Sequence, residues 1–107
     1  MDQTQSTLCN IINQLHNIEI KVKELDQSNR LERRFERIKS QLEVLSLFIH
    51  DPLHEAYDST RLDCEASIAG DKTENLQIVE VIKPIVFHRQ GEINSIIQRG
   101  VVIVEGK

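Results

Sequence analysis

The stretch from Ile78 to Lys107 decides the fold, and it reads IVEVIKPIVFHRQGEINSIIQRGVVIVEGK. Short runs rich in Val and Ile alternate with turn signals, which is typical of strands in a small sheet. Pro84 cannot donate a ladder hydrogen bond and therefore predicts a break between strands. Gly91 predicts a hairpin turn, and Gly100 predicts a kink between the last two strands. We predict a small C-terminal β head over residues 76–107, in which four short antiparallel strands are the simplest arrangement.

The N-terminal half has helical periodicity and contains no Gly or Pro before Pro52. Its apolar residues form two series with the alternating three- and four-residue steps of a coiled-coil seam. The first series is Leu8, Ile11, Leu15, Ile18, Val22 and Leu25, and the second is Leu31, Phe35, Ile38, Leu42, Leu45 and Ile49. We therefore predict a helical dimerisation region over residues 1–50, which pairs with a second copy of the chain and ends at His50–Pro52. The predicted fold class is α+β, with an N-terminal helical coiled coil or bundle followed by the antiparallel β head.

The two helical series are out of phase, and the slip falls across Asp26–Asn29. The helix could run on with a local overwinding that keeps the seam facing inward. It could also break and restart, with Asn29 as the N-cap and Glu32 three residues later in a capping box. In a continuous seam, Asn29 would instead fix the register of the pair.

The formal net charge is −4, and the acidic excess lies in the second half of the chain. Residues 51–75 form an acidic connector with little apolar periodicity. Non-specific nucleic-acid binding requires a positive field, so the overall charge argues against a nucleic-acid partner. The only basic cluster is interleaved with glutamates, which is typical of a solvated helix face. This cluster is Arg30, Arg33, Arg34 and Arg37.

The sequence contains no motif for catalysis, a metal or a cofactor. His50 and His54 flank Pro52, which forbids the regular helical pairing that a metal site would use. A Gly-rich phosphate loop, a nucleophile elbow and a paired-cysteine motif are all missing. Cys9 and Cys64 are expected to be reduced bystanders, with an inter-subunit bridge at Cys9 as the alternative. We expect a cytoplasmic protein, because no apolar run is long enough for a membrane span and the N-terminus is not a signal peptide. Because no catalytic motif is present, we also expect that it is not an enzyme.

Three stretches of the second half resemble the GrpE family, the nucleotide exchange factors of DnaK-type chaperones. Asp51–Asp58, which reads DPLHEAYD, is similar to the DPLGEPFD-like segment that leads into the family's head. Ile78–Ile82 is similar to its V-V-E-V-L strand, and Ile96–Val104 is similar to its V-L-R-P-A-x-V-x-V ending. The resemblance covers roughly residues 42–107, and the ordered set of motifs is more specific than any one of them.

The resemblance implies a co-chaperone for protein folding and the stress response. It implies that the β head binds the ATPase domain of a DnaK-type chaperone and promotes ADP release, that the protein is a homodimer, and that no cofactor is needed. Arg99 is the implied charged anchor for the partner, and Val104 is an implied apolar contact. The alternative is a dimeric scaffold or adaptor on the same fold that has lost exchange activity.

Several departures from the family pattern bear on exchange activity rather than on the fold. The family's Lys-Gly-Tyr turn is replaced by Lys83-Pro84-Ile85, with Phe87 as a candidate replacement for the aromatic residue. The family's Arg-Pro-Ala is Arg99-Gly100-Val101 here, and Asp63 and Cys64 stand where the family has a His before Glu-Ala. The helical part is also about half the usual length.

Overall fold

The computed structural model describes residues 2–25 and 30–107 and has a mixed α+β fold of two helices and six strands in two sheets. The helices are α1 (Gln3–Leu25) and α2 (Glu32–Val44). The strands are β1 (Leu47–His50), β2 (Cys64–Ala69), β3 (Gln77–Lys83), β4 (Ile85–Gln90), β5 (Ile93–Gln98) and β6 (Gly100–Glu105). Neither described helix is long and apolar enough to cross a membrane. The predicted slip at Asp26–Asn29, with its two alternatives for Asn29, lies outside the described residues.

A long antiparallel hairpin, bent in the middle, forms the centre of the β structure. β3 pairs with β6 in one half, and β4 pairs with β5 in the other. The bend falls at Pro84 on one arm and at Arg99, just before Gly100, on the other, between the paired halves. Gly91 closes the hairpin with a φ of 65°, a conformation that glycine adopts without steric cost. The predicted break at Pro84 and the predicted turn at Gly91 are therefore confirmed.

Each half of the hairpin gains one further strand, which gives two three-stranded sheets. β1 adds antiparallel to β4, so the first sheet has the order β1-β4-β5. β2 adds parallel to β6, so the second sheet has the order β2-β6-β3. The four antiparallel strands predicted for residues 76–107 are confirmed as β3 to β6. The prediction missed β1 and β2, which come from the predicted helical region and connector, and β2 pairs parallel rather than antiparallel. From here on, the β head means residues 47–107.

The second helix ends earlier than the periodicity predicted. α2 stops at Val44, and Ser46 then turns the chain with a φ of 65°, so that Leu47–His50 runs as a strand. Leu47 is buried at the start of this strand. The apolar run of three residues, Leu47 to Ile49, fits a buried strand as well as a helix, and pairing with β4 decides between them here. The prediction that the helical region extends to residue 50 was therefore wrong beyond Val44.

The core consists of two clusters, one on each side of the bend. The first lies within the β2-β6-β3 sheet and the adjoining start of β4; its buried members are Cys64, Ile78, Val81, Ile85, Val102 and Val104. The second joins both helices to the β1-β4-β5 sheet; its buried members are Cys9, Ile12, Leu42, Leu47 and Val86. The second cluster therefore joins both helices to the β head.

The helix α1 packs through a face other than its predicted seam. Its buried residues are Cys9, Ile12, Asn13, His16 and Glu19. The polar members have partners: Asn13 and Gln98 exchange two side-chain hydrogen bonds of 3.0 and 2.8 Å, and the His16 Nε2 lies 2.8 Å from the Val81 carbonyl oxygen. α1 therefore packs within the chain through a face that the apolar periodicity did not predict.

Candidate partner-binding surface of the β head

The three stretches that carry the family resemblance are neighbours in space. The His54 N–H donates to the Ile78 carbonyl at 2.8 Å, and the Ile78 N–H donates to the Glu55 carbonyl at 2.9 Å. These bonds lay the segment from Asp51 to Asp58 along the edge of β3. β3 in turn pairs with β6, where Ile78 faces Val104. Segments separated by more than forty positions thus form one packed platform.

Arg99 lies between β5 and β6 and is held against the start of β2. Its Nε donates to the Leu62 carbonyl at 3.0 Å, its Nη2 donates to the Cys64 carbonyl at 2.8 Å, and its Nη1 bonds the Glu65 carboxylate at 3.1 Å. A guanidinium has five N–H groups, so two remain without a partner among the described residues. The side chain is 47% exposed. Arg99 is therefore fixed in direction and still open to a binding partner.

The position of Arg99 depends on the glycine that follows it. Gly100 is buried, and its N–H donates to the Asp63 carbonyl at 2.9 Å. A Cβ atom there would lie 3.0 Å from the Ile85 Cγ1 and 3.2 Å from the Cys64 Sγ. This crowding explains why glycine stands in the Arg99-Gly100-Val101 segment: a larger side chain would push β6 away from β2 and β4.

An exposed leucine adjoins the fixed arginine. Leu62, whose carbonyl accepts from Arg99, is 80% exposed. An apolar side chain beside an oriented guanidinium is a favourable combination for a protein interface, where Arg is enriched among the residues that contribute most. We call Leu62, Glu65 and Arg99 the Arg99 surface. Sequence reasoning found Arg99 through the resemblance but did not assign a contact role to Leu62, because nothing along the chain shows that the two are adjacent.

Val104 does not lie on this surface. Its side chain is fully buried among the core residues of the β2-β6-β3 sheet. Successive side chains of a strand point to opposite faces, and Ile103, the next residue back along β6, is only half-buried. The contact predicted for Val104 is therefore corrected: as the chain is folded here, this side chain packs in the core and offers no surface to a partner.

Hydrogen bonds from the Arg61 side chain hold together the loop that precedes β2. Its Nε donates to Asp63 at 2.7 Å, its Nη2 to Glu55 at 2.6 Å, and its Nη1 to the Ala56 carbonyl at 2.9 Å. The other oxygen of Glu55 lies 2.6 Å from the His50 Nε2. Sequence reasoning missed this network, because charges six residues apart in a loop give no periodic signal.

The network shifts the pKa values of Asp63, Glu55 and Arg61. Hydrogen bonds from Arg61 lower the pKa of Asp63. Burial acts to raise the pKa of Glu55, but hydrogen bonds from Arg61 and His50 outweigh it, so the net shift is downward. The pKa of Arg61 itself is raised, chiefly by its hydrogen bond to Asp63. These shifts favour the charged forms of Arg61, Glu55 and Asp63, which hold the loop.

The cysteines and histidines do not form a reactive centre. Burial raises the pKa of the Cys64 thiol to about 11 and also raises that of Cys9. Both thiols are therefore protonated at neutral pH and buried, and a bridge from Cys9 to another subunit would need α1 to move. Among residues 2–25 and 30–107, no three His, Cys, Asp or Glu side chains come together as a metal site.

The altered turn at Lys83–Ile85 is part of the bend in the hairpin. Pro84 is fully buried, and its carbonyl accepts from the Gln98 side chain at 2.9 Å. Phe87, named as a candidate replacement for the family's aromatic residue, is half-buried against the first core cluster. Phe87 also lines a depression on the β1-β4-β5 sheet together with Phe48 and Arg89. The Arg89 guanidinium lies 4.3 Å from the centroid of the Phe48 ring.

The predicted dimerisation residues lie mostly on the surface of the single chain. In α1, Ile11, Ile18 and Leu25 are exposed by 49, 51 and 87%. Three more seam residues of α1 are half-buried: Leu8, Leu15 and Val22. In the second series, Phe35 and Leu42 are buried within the chain, Ile49 is half-buried, and Leu31, Ile38 and Leu45 are exposed. Phe35 and Leu42 therefore pack internally, whereas Ile11, Ile18 and Leu25 of the α1 seam remain exposed in the described chain.

Comparisons of this chain with models of protein families, with curated proteins and with solved structures find no match.

Proposed function

We propose that this protein is a short GrpE-like co-chaperone that binds the ATPase domain of a DnaK-type chaperone and promotes ADP release. The observation that carries the proposal is the Arg99 surface: an arginine fixed by three hydrogen bonds, beside an exposed leucine, on a platform built from the three stretches that resemble the family. Binding of this kind promotes release only if the open nucleotide cleft is bound more tightly than the closed one. A rigid platform suits that task, because it does not adapt to both states.

The protein acts, on this proposal, as a cytoplasmic homodimer. The support is the seam of α1, where exposed Ile11, Ile18 and Leu25 follow one another at seven-residue intervals. A row of large apolar side chains on one helix face is costly to leave in water and is suited to pairing with the same row of a second copy. The chain's acidic charge and the lack of a metal or cofactor motif are consistent with a protein partner as the main ligand.

A dimeric scaffold without exchange activity is the second candidate function. The observation that favours it is that three of the five Arg99 donors are already used within the chain. In that case Arg99 would serve chiefly to hold β2 against the hairpin. The two functions differ in a measurable way, because both predict binding or assembly but only the first predicts faster ADP release.

Removing the arginine anchor tests the binding surface. Arg99→Ala is expected to weaken binding to a DnaK-type ATPase domain by about 1–3 kcal/mol, because charged hydrogen bonds at an interface are lost. Leu62→Ala, which removes an exposed side chain that makes no hydrogen bond, is expected to weaken binding without affecting the fold. Lys21→Ala removes an exposed cation of α1 and is the control. The measurements are calorimetric titration for binding and release of a fluorescent ADP analogue for activity.

The outcomes separate the two candidate functions. Faster ADP release with wild type and a loss with Arg99→Ala and Leu62→Ala would support the exchange factor. Binding with no change in the ADP release rate would favour the scaffold. If wild type does not bind DnaK-type chaperones from its own source, or if Lys21→Ala is as damaging as the other two variants, the Arg99 surface is not the proposed site.

Charging the seam tests the homodimer. Light scattering of wild type at micromolar concentration is expected to give about twice the 12.3 kDa chain mass. Ile18→Asp, at a position half exposed in the single chain, is expected to shift the mass to that of one chain while circular dichroism is preserved. Ser67→Asp, at an exposed position of β2, adds the same charge away from the helix and is the control. A wild-type protein that stays a monomer at high concentration would exclude the proposed pairing.

A further inference from the structure

One face at the start of α2 carries four arginines. Arg33, Arg34 and Arg37 lie in α2 and Arg30 lies in the turn before it, and all four side chains are exposed. Their spacing of three, four and seven residues places them on the same side of a helix. They line a single open depression of about 430 Å³. We call this set the arginine stripe.

The glutamates between these arginines form no ion pair with them, although Glu36 lies three residues from Arg33, at the edge of the stripe. Glu32 lies two residues from Arg30 and from Arg34, and two residues correspond to about 200° around a helix. Glu36 is directed toward Lys39, with 3.8 Å between the charged atoms, and Lys39 also pairs with Glu19 of α1 at 3.2 Å. None of the ion pairs between described residues includes an arginine of the stripe. The four arginines therefore alternate with glutamates in the sequence without pairing with them in the described structure.

The stripe has the chemistry of an anion-binding surface. Four positive charges lie within about 10 Å along the helix axis, where they repel one another unless an anion lies between them. The basic residues of this face are all arginines, whose planar guanidinium bonds a carboxylate or phosphate through two parallel N–H groups. The first turn of α2 adds backbone N–H groups, and Leu31 at its N-cap position supplies no side-chain acceptor for them.

The size of the stripe and the charge of the rest of the chain select the kind of anion. Without the four arginines, the chain's net charge of −4 becomes −8. A long polyanion such as a nucleic acid would extend past the stripe and meet this negative field. A short acidic segment would meet only the stripe. Carboxylates at helical spacing on a partner would match the four guanidiniums in number and in distance.

We propose that the arginine stripe binds a short acidic peptide segment of a partner protein. The site is independent of the Arg99 surface, which lies on the β head, so either proposal can fail without the other. The stripe does not include the seam residue Ile18, and peptide binding to the stripe does not require the homodimer.

A labelled peptide tests the proposal. The probe is a fluorescein-labelled peptide of about 20 residues, above the length at which isolated helices are marginal in water, with Glu at positions i, i+3, i+4 and i+7 in an Ala and Gln background. Fluorescence anisotropy is expected to show binding to full-length wild type that weakens with added salt. Arg33→Ala with Arg37→Ala is expected to reduce affinity by about tenfold or more, the loss expected for two charged hydrogen-bonded contacts. Arg30→Ala with Arg34→Ala is expected to do the same.

The controls match the charge change and the peptide. Lys21→Ala with Lys107→Ala also removes two exposed positive charges, but away from the stripe, and is expected to leave affinity within about twofold. The same peptide with Gln in place of Glu is expected not to bind. The proposal is overturned if the acidic peptide does not bind wild type or if the lysine pair is as damaging as the arginine pairs. It is equally overturned if single-stranded DNA of similar length binds as tightly, since that outcome would identify a nucleic-acid surface.

Discussion

Replacing Ile12 by Ala is expected to lower the free energy of unfolding by about 2–5 kcal/mol, the usual cost of truncating a buried Ile. Ile12 is 1% exposed and belongs to the cluster that joins α1 to Leu42, Leu47 and Val86. Truncation removes apolar contacts and leaves a cavity where helices and sheet meet. Urea unfolding followed by circular dichroism measures the change, with the slope of the transition checked for a change in mechanism.

The neighbouring residue supplies the matched control. Ile11 is 49% exposed and lies on the predicted seam, so Ile11→Ala is expected to cost less than about 1 kcal/mol in dilute protein. If the seam pairs with a second copy, the cost at Ile11 grows with protein concentration, whereas the cost at Ile12 does not. A larger loss at Ile11 than at Ile12 in dilute protein would contradict the orientation of α1 in this fold.

This pair of residues shows why the face of α1 was mispredicted. The leucine and isoleucine series is regular, and hydrophobic periodicity assigns such a series to the buried side. The face that is buried within the chain contains Asn13, His16 and Glu19 instead. Each has a distant partner, such as Gln98 for Asn13, and the sequence does not reveal polar pairs that are 85 positions apart. Burial of polar groups becomes acceptable once such partners exist.

The β strands that were predicted are those with local signals. Pro84, Gly91 and Gly100 mark the ends of β3 to β6, which pair antiparallel within one long hairpin. β1 and β2 lack such signals. β1 follows a turn at Ser46, which adopts the left-handed conformation without being a glycine. β2 pairs in parallel with β6, which lies more than thirty residues later in the chain. Long-range pairing is decided by the assembled sheet rather than by the residues of one strand.

The residues of the candidate site also differ in how well the sequence predicts their position. Arg99 could be found from the sequence because a resemblance placed it, but the neighbours that fix its direction are carbonyl groups of Leu62 and Cys64. Backbone acceptors leave no trace in a sequence. Val104 was placed by the same resemblance, yet its position on β6 turns it toward the core. A motif thus identifies a segment, while strand alternation decides which of its residues face a partner.

Replacing Arg61 by Ala is expected to lower the free energy of unfolding by about 2–3 kcal/mol at neutral pH, because charge-assisted hydrogen bonds are lost and two carboxylates lose their shared cation. The side chain is 19% exposed and bonds Glu55, Asp63 and the Ala56 carbonyl. Partial exposure of the two carboxylates keeps the expected loss below that of a fully buried pair. Arg89→Ala is the control. Its guanidinium has one hydrogen bond, to Asn94 at 2.9 Å, and stacks on Phe48, so a loss of about 1 kcal/mol or less is expected.

The pH dependence distinguishes this network from simple packing. Glu55 and Asp63 both have a pKa that is lower in the folded state than their ordinary value. Such groups add stability that is present above the unfolded pKa of about 4 and is lost as the pH falls through the lower folded pKa. In Arg61→Ala the main cause of the lowered pKa is gone, so the variant has less of this stability to lose. The difference between wild type and variant, measured by urea unfolding, is therefore expected to be full at pH 7 and to shrink below about pH 4. A difference that stays constant down to about pH 2.5, where carboxylates with ordinary pKa values are protonated, would show that Arg61 stabilises the loop by packing instead of by charge.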